Sequence, residues 1–116
     1  SVARRAQLIR DFQARRGEAP RAFVLTMRTG AVGVTLTAAH RVFLMEPCLD
    51  PATEVQAAGR IHRLGQSRDV LVRRLAFRDS VEERCLELHR RIRRGEVAIE
   101  DGLVPPEGIN VLLGRA

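Results

Sequence analysis

Arg41-Val42-Phe43-Leu44-Met45-Glu46-Pro47-Cys48-Leu49-Asp50-Pro51 is the stretch on which the fold reading turns. Its first six residues form a mainly apolar run without regular polar alternation, closed by Pro47. Such a run suits a strand covered on both faces, as in a parallel sheet. Asp50 then stands as an N-cap before Pro51, which is well placed as a first helical residue. The spacing predicts a helix from Pro51 to about Arg60.

The same alternation extends outward in both directions. Ser1 to Arg16 reads as a helix capped by Ser1, with Ala6, Ile9, Phe12 and Gln13 near one face and Leu8 beside them. Gly17-Glu18-Ala19-Pro20 stops it. Arg21 to Thr26 is a candidate buried strand, followed by a glycine-bearing loop from Met27 to Gly33 and a short helical turn at Leu36 to Ala39. Beyond the central helix, a turn at Leu64-Gly65-Gln66 leads to a third strand, Val70 to Phe77. Ser80 and Glu83 form a capping box for a last helix, whose apolar stripe is Val81, Cys85, Leu88 and Ile92. Arg90, Arg91, Arg93 and Arg94 crowd its final turns, where positive charge suits the helix dipole, and Gly95 ends it. Residues 95–116 carry glycine, two adjacent prolines and little periodicity, and read as a loosely structured C-terminal tail. Strands alternating with helices give an α/β fold, a parallel sheet flanked by helices. Three strands are few for an independent sheet. The expectation is therefore a partial lobe lacking N-terminal strands, in keeping with Ser1 rather than Met at the start.

Composition narrows the function. The 116 residues suit one small domain, and a 45% hydrophobic content suffices for a modest core. With 3% aromatics and no Trp or Tyr, the chain lacks the stacking platforms of a single-strand binder. A net charge of +6 favours an acidic partner such as nucleic acid, ATP or a membrane surface. All 20 Lys-or-Arg residues are Arg. A Walker-type phosphate loop, which needs its lysine, is therefore absent from this sequence. Cys48 and Cys85 are far apart, and His40, His62 and His89 complete no zinc pattern, so no metal site is expected. Two free thiols fit a reducing compartment. No apolar run approaches a membrane span, and no membrane role is expected.

The strongest chemical signal is Gln56-Ala57-Ala58-Gly59-Arg60-Ile61-His62-Arg63-Leu64-Gly65-Gln66. It sets Arg60 and Arg63 three residues apart near a predicted helix end, close to one face. Two permanently charged planar forks on a rigid element suit the charge that spreads over a transferring phosphoryl group. A solvated basic turn explains the same residues in an Arg-rich chain. Gln56, one helical turn earlier, can orient an arginine, contact a nucleotide or merely face solvent. His62 is expected to pack or hydrogen-bond rather than do chemistry. The loop Arg28-Thr29-Gly30-Ala31-Val32-Gly33 can bring backbone N–H groups to a phosphate, or it is an ordinary tight turn. Glu46 and Asp50 stand at a strand end, where α/β sheets bind ligands, although capping is the simpler role for Asp50. The arginines at 90–94 read as a solvated face that could also touch DNA phosphate.

Together these stretches resemble the second RecA-like lobe of superfamily-two helicase-like ATPases, most closely the Swi/Snf class of double-stranded-DNA translocases. Leu25 to Ala39 is similar to that class's fifth motif, Leu-Ser-Thr-(Arg)-Ala-Gly-Gly-x-Gly-x-Asn-Leu-Thr-Ala-Ala. Gln56 to Gln66 is similar to its sixth, Gln-Ala-x-(Asp/Gly)-Arg-x-His-Arg-x-Gly-Gln. The resemblance runs from Ser1 to Ile92 and assigns residues 1–94 to a partial helicase C-terminal domain. Ala31 replaces a common Gly, Thr35 a common Asn, and Leu49 stands where many members place a Trp. Gly59, with Glu46-Pro47-Cys48-Leu49-Asp50-Pro51, resembles the subgroup that embeds a RING ubiquitin-ligase module, although two Cys cannot build a RING.

The resemblance implies specific roles. Arg60 and Arg63 fall on the arginine fingers that reach ATP phosphates across an interlobe cleft. Gln56, Gly30 and Gly33 fall on nucleotide-side elements, and Arg28 and Thr29 where the fifth motif approaches the DNA backbone. Ser80 to Arg94 resembles the helix that packs back toward the first lobe. ATP and Mg²⁺ would be held mainly by that first lobe, and the implied partners are the first lobe, double-stranded DNA and nucleosomes. The implied activity is that of a DNA-dependent ATPase, a chromatin remodeller or DNA-repair translocase of the nucleus, with the isolated chain inactive. The alternative is a non-catalytic basic DNA- or chromatin-binding module. A third reading, an RNA helicase lobe, fits the His-Arg-x-Gly-Gln ending less well.

Overall fold

The structure, a computed structural model, describes residues 1–14, 22–27 and 33–115. Its elements in chain order are α1 (Val2–Ala14), β1 (Arg41–Leu44), α2 (Pro51–Ala58), β2 (Leu71–Arg74), α3 (Val81–Arg93) and α4 (Pro106–Leu112). The two strands are hydrogen-bonded neighbours. Leu71 N–H donates to His40 C=O and Leu75 N–H to Leu44 C=O, both at 2.9 Å. Donors and acceptors advance together along both strands, so the pair is parallel, and α2 is the crossover helix such a pair requires. The α/β class read from the sequence holds.

Local chemistry accounts for the helix starts. Ser1 Oγ accepts from Arg4 N–H at 3.3 Å, and Asp50 Oδ1 from Ala52 N–H at 2.9 Å. Ser80 Oγ accepts from Glu82 N–H at 3.1 Å. Glu83 reaches back one residue further than a capping box predicts, to Asp79 N–H at 3.0 Å.

Contacts divide the chain into two compact units, residues 1–42 with 55–72, and residues 43–54 with 73–116. In the first, Phe12, Val34, Leu36 and Ile61 are buried together, with Ile9, Phe23, Val42 and Val70 packed around them. Phe12 and Phe23 meet at 5.3 Å between ring centroids. In the second, Leu88, Val97 and Val111 form the core, supported by Ile92, Val104 and Leu112.

The second unit also buries polar groups. Glu54 is 3% exposed and accepts from Cys48 N–H at 3.0 Å and from Arg74 Nε at 2.6 Å, with Arg74 Nη2 closing the ion pair. His89 is fully buried, and its Nε2 lies 2.6 Å from Cys48 C=O. A carbonyl only accepts, so that ring nitrogen carries the proton. The backbone of Cys48 is thus held at both its N–H and its C=O.

Three expectations need correction. Among the described residues the sheet has two strands, since residues 22–26 form none. Phe23 of that run packs on the core, but Val24 is 93% exposed, so the run buries one anchor rather than a face. The two strands are also not covered on both faces. β1 alternates in exposure and β2 is exposed throughout, so among the described residues packing covers at most one face of the pair. Finally, residues 95–115 are not loose. Val97 and Val111 are core residues, and α4 packs on α3. The adjacent prolines misled because Pro105 caps α4 and Pro106 begins it, a position where a missing N–H costs nothing.

Gly108 sits at that helix contact. A Cβ there would lie 2.7 Å from Val104 Cγ1 and 3.2 Å from Leu88 Cδ1. In an unpacked tail, Gly108→Ala would stabilise helix by about 1 kcal/mol. In this packing it is expected to destabilise by about 1–3 kcal/mol, read from the urea unfolding midpoint.

Candidate functional site

The first unit brings together the segment Val34–Ala39 and the turns from Gly59 to Gln66. α2 ends at Ala58, two residues short of the predicted Arg60. Helix-like bonds persist from Gly59 N–H to Val55 C=O and from His62 N–H to Ala58 C=O. The chain then tightens into short turns, Arg63 N–H donating to Ile61 C=O and Gln66 N–H to Arg63 C=O. Gly59 weakens the helix locally, and Gly65 adopts φ +96°, a conformation few other residues tolerate. Arg60 and Arg63 therefore do not share a helical face, as their spacing suggested. They stand on consecutive turns, with buried Ile61 as the anchor between them.

Those turns are fastened to Val34–Ala39. Leu36 N–H donates to Arg60 C=O at 3.0 Å. The amide of Gln66 donates through Nε2 to Ala39 C=O at 2.6 Å and to Thr37 C=O at 3.2 Å, and lies 3.4 Å from Ile61 C=O. From the other side, Gln13 accepts from Ala38 N–H at 2.8 Å and donates to Thr37 Oγ1 at 3.1 Å. Arg63 Nη1 donates to Thr35 Oγ1 at 3.2 Å. Thr35, Gly59, His62, Arg63 and Leu64 line an open depression. Arg63 is exposed there, whereas Arg60 is half-buried.

The remaining predicted residues fall as follows. Gln56 is exposed on α2, and Gly33 is exposed with φ +54°. Arg28, Thr29 and Gly30 lie outside the described residues. His62 is exposed beside Arg63 rather than packed. Sequence reasoning missed Gln66, Thr35 and Gln13 as the residues that hold the site. The signal for the first two was their place inside the two motif stretches, where a polar residue can serve the backbone, as Gln66 does, or another side chain, as Thr35 does, instead of a ligand.

Other chemistries find little support. Among the described residues no group of three His, Cys, Asp or Glu could hold a metal ion. Burial pushes the Cys48 and Cys85 thiols up from their ordinary pKa, reinforced by Glu54, Glu46 and Asp50 at Cys48 and by Glu82 and Glu54 at Cys85. Both are poor nucleophiles at neutral pH. The arginine run on α3 is partly ion-paired, Arg90 and Arg91 with Glu87 at 2.8 and 3.3 Å. The hydrogen bond from Arg91 leads in holding the Glu87 carboxyl below its usual value. Such a run reads as a solvated face. No described helix is long and apolar enough to cross a membrane.

With this geometry in place, comparison with known proteins is informative. The helicase conserved C-terminal domain family matches residues 1–65. The chain is 40% identical to a Homo sapiens protein, helicase-like transcription factor, over 90 residues, covering 78% of this chain and 9% of that protein. It is 49% identical to DNA repair protein RAD5B of Arabidopsis thaliana over 71 residues, covering 61% of this chain and 6% of that one. A crystal structure of the C-terminal part of the Fun30 ATPase domain matches with a TM-score of 0.68 at 31% identity, over 75% of this chain and 28% of that one. The chain spans less than a tenth of either sequence relative.

The Gln66 amide is a donor pointed at carbonyl oxygens, and this sets the sign of its substitutions. Gln66→Glu would place an acceptor and a charge against them. It is expected to lower stability by about 2–4 kcal/mol, and Gln66→Leu by about 1–2 kcal/mol, in urea unfolding monitored by circular dichroism.

Proposed function

The chain belongs to the helicase conserved C-terminal domain family, and on that premise we propose that it is the second lobe of a DNA-dependent ATPase, supplying arginine fingers to ATP held on a first lobe. The observation that carries this reading is Arg63, an exposed guanidinium fixed at one nitrogen by Thr35 on the rim of an open depression. A guanidinium has five N–H donors, and one bond to a hydroxyl leaves others for phosphate oxygens. Arg60, half-buried on the preceding turn, is the second finger. Gln56, at the exposed surface of α2, and the glycines Gly30 and Gly33 complete the nucleotide side. Arg28 and Thr29 meet the DNA backbone.

The described residues fit a phosphate but not a magnesium site, since no acidic cluster accompanies the arginines. ATP and Mg²⁺ would be bound mainly by the first lobe, where they supply a γ-phosphoryl group whose charge spreads during transfer. This lobe's part is electrostatic. Arg63 and Arg60 hold positive charge where negative charge develops, on a segment fixed by Gln66 so that little reorganisation remains at the moment of reaction. The relatives named for DNA repair and transcription support a role on duplex DNA and nucleosomes in the nucleus, as a remodeller or repair translocase.

On this reading the isolated chain hydrolyses no ATP, and turnover by a clean preparation would count against it. In the longer protein that carries this lobe, Arg63→Ala is expected to lower duplex-stimulated turnover by about 10³-fold or more while ATP binding stays within about twofold. Equal loss of both would make Arg63 a binding or structural residue. Duplex binding without any wild-type turnover would leave a non-catalytic binding module.

A further inference from the structure

We propose that Thr35 is a positioning residue for Arg63, fixing the guanidinium through its hydroxyl for transition-state contact. This rests on the finger reading above. Val34 and Leu36 on either side are 8% and 3% exposed, so the intervening side chain is turned outward, and Thr35 is exposed beside Arg63. Its Oγ1 accepts from Arg63 Nη1 at 3.2 Å across 28 residues of sequence. The strip on which it stands is itself pinned, by Leu36 N–H to Arg60 C=O and by Gln66 to Thr37 C=O.

The chemistry of the pair suits positioning. A free arginine side chain samples many rotamers, and ordering it costs entropy each time it must engage a phosphate. A hydrogen bond to a β-branched residue, itself stiff at χ1, removes part of that freedom in advance. The acceptor is neutral, so the guanidinium keeps its full charge for phosphate. A carboxylate at this position would compensate that charge.

The test is steady-state ATP turnover with saturating duplex DNA by the longer protein carrying this lobe. The variants compared with wild type are Thr35→Val, Thr35→Ser, Thr35→Asn and Arg63→Ala. Thr35→Val keeps shape and removes the acceptor, and it is expected to lower kcat about five- to tenfold with KM for ATP unchanged. Thr35→Ser and Thr35→Asn, which keep an acceptor, are expected to stay within about twofold of wild type. Wild-type or higher kcat in Thr35→Val overturns the proposal, as does an equal fall in Thr35→Ser. If Arg63→Ala turns over normally, the finger reading itself fails. If Arg63→Ala loses turnover while Thr35→Val does not, only the positioning role fails.

Discussion

The side-chain amide of Gln66 has two hydrogens and three carbonyl oxygens within reach, those of Thr37, Ala39 and Ile61. Each of these carbonyls belongs to backbone outside a helix or strand, where no ladder supplies a donor. The arrangement joins two sequence-distant segments that carry no regular secondary structure. Everything chemically interesting in the first unit stands on them. Without the amide, the Arg60–Arg63 turns would lose their side-chain fastening to Thr37 and Ala39 and would lean more on the Leu36 to Arg60 backbone bond, the buried Ile61 and the exposed Arg63–Thr35 contact. A half-buried donor among acceptors is also self-limiting, because isosteric replacement by a carboxylate reverses the sign of the interaction.

The arrangement explains how a short motif can be long in sequence and compact in chemistry. Arg60 and Arg63 contribute charge, Ile61 contributes a hydrophobic anchor, Gly65 a left-handed turn and Gln66 the fastening. Most of the motif is therefore devoted to presenting two side chains. Read as pure phosphate chemistry, the intervening residues look like spacers. Their contacts are what separate a defined arginine pair from two solvated arginines in an Arg-rich chain.

The class of fold, its helix starts and the crossover between parallel strands were legible because each rests on local rules. Ser1, Asp50 and Ser80 cap as their side chains dictate, and Pro51 opens α2. Less was legible where tertiary context decides. The run at 22–26 has strand composition but does not join the pair β1–β2, and composition alone carries no information about partners. Pro105 and Pro106 were ambiguous because proline both stops and starts helices, and burial of Gly108 and Val111 resolves the choice. At the site, the arginines and Gln56 were proposed from residue type and spacing, and the shared helical face that the spacing suggested is not formed. Gln66, Gln13 and Thr35 were not, since their partners lie 24–29 residues away and no periodicity encodes them.

Cys48 illustrates a different dependence on sequence. Glu54 grips its N–H and His89 its C=O, while the thiol takes no part in either bond. What these two bonds require at that position is a backbone N–H and C=O, not a side chain. Any residue with a backbone N–H meets the requirement, and proline alone does not. The consequence is that this anchor is invisible to residue identity. Two proteins could share it atom for atom and agree at position 48 in nothing, while Glu54 and His89, one and two helices further along the chain, carry the record of it.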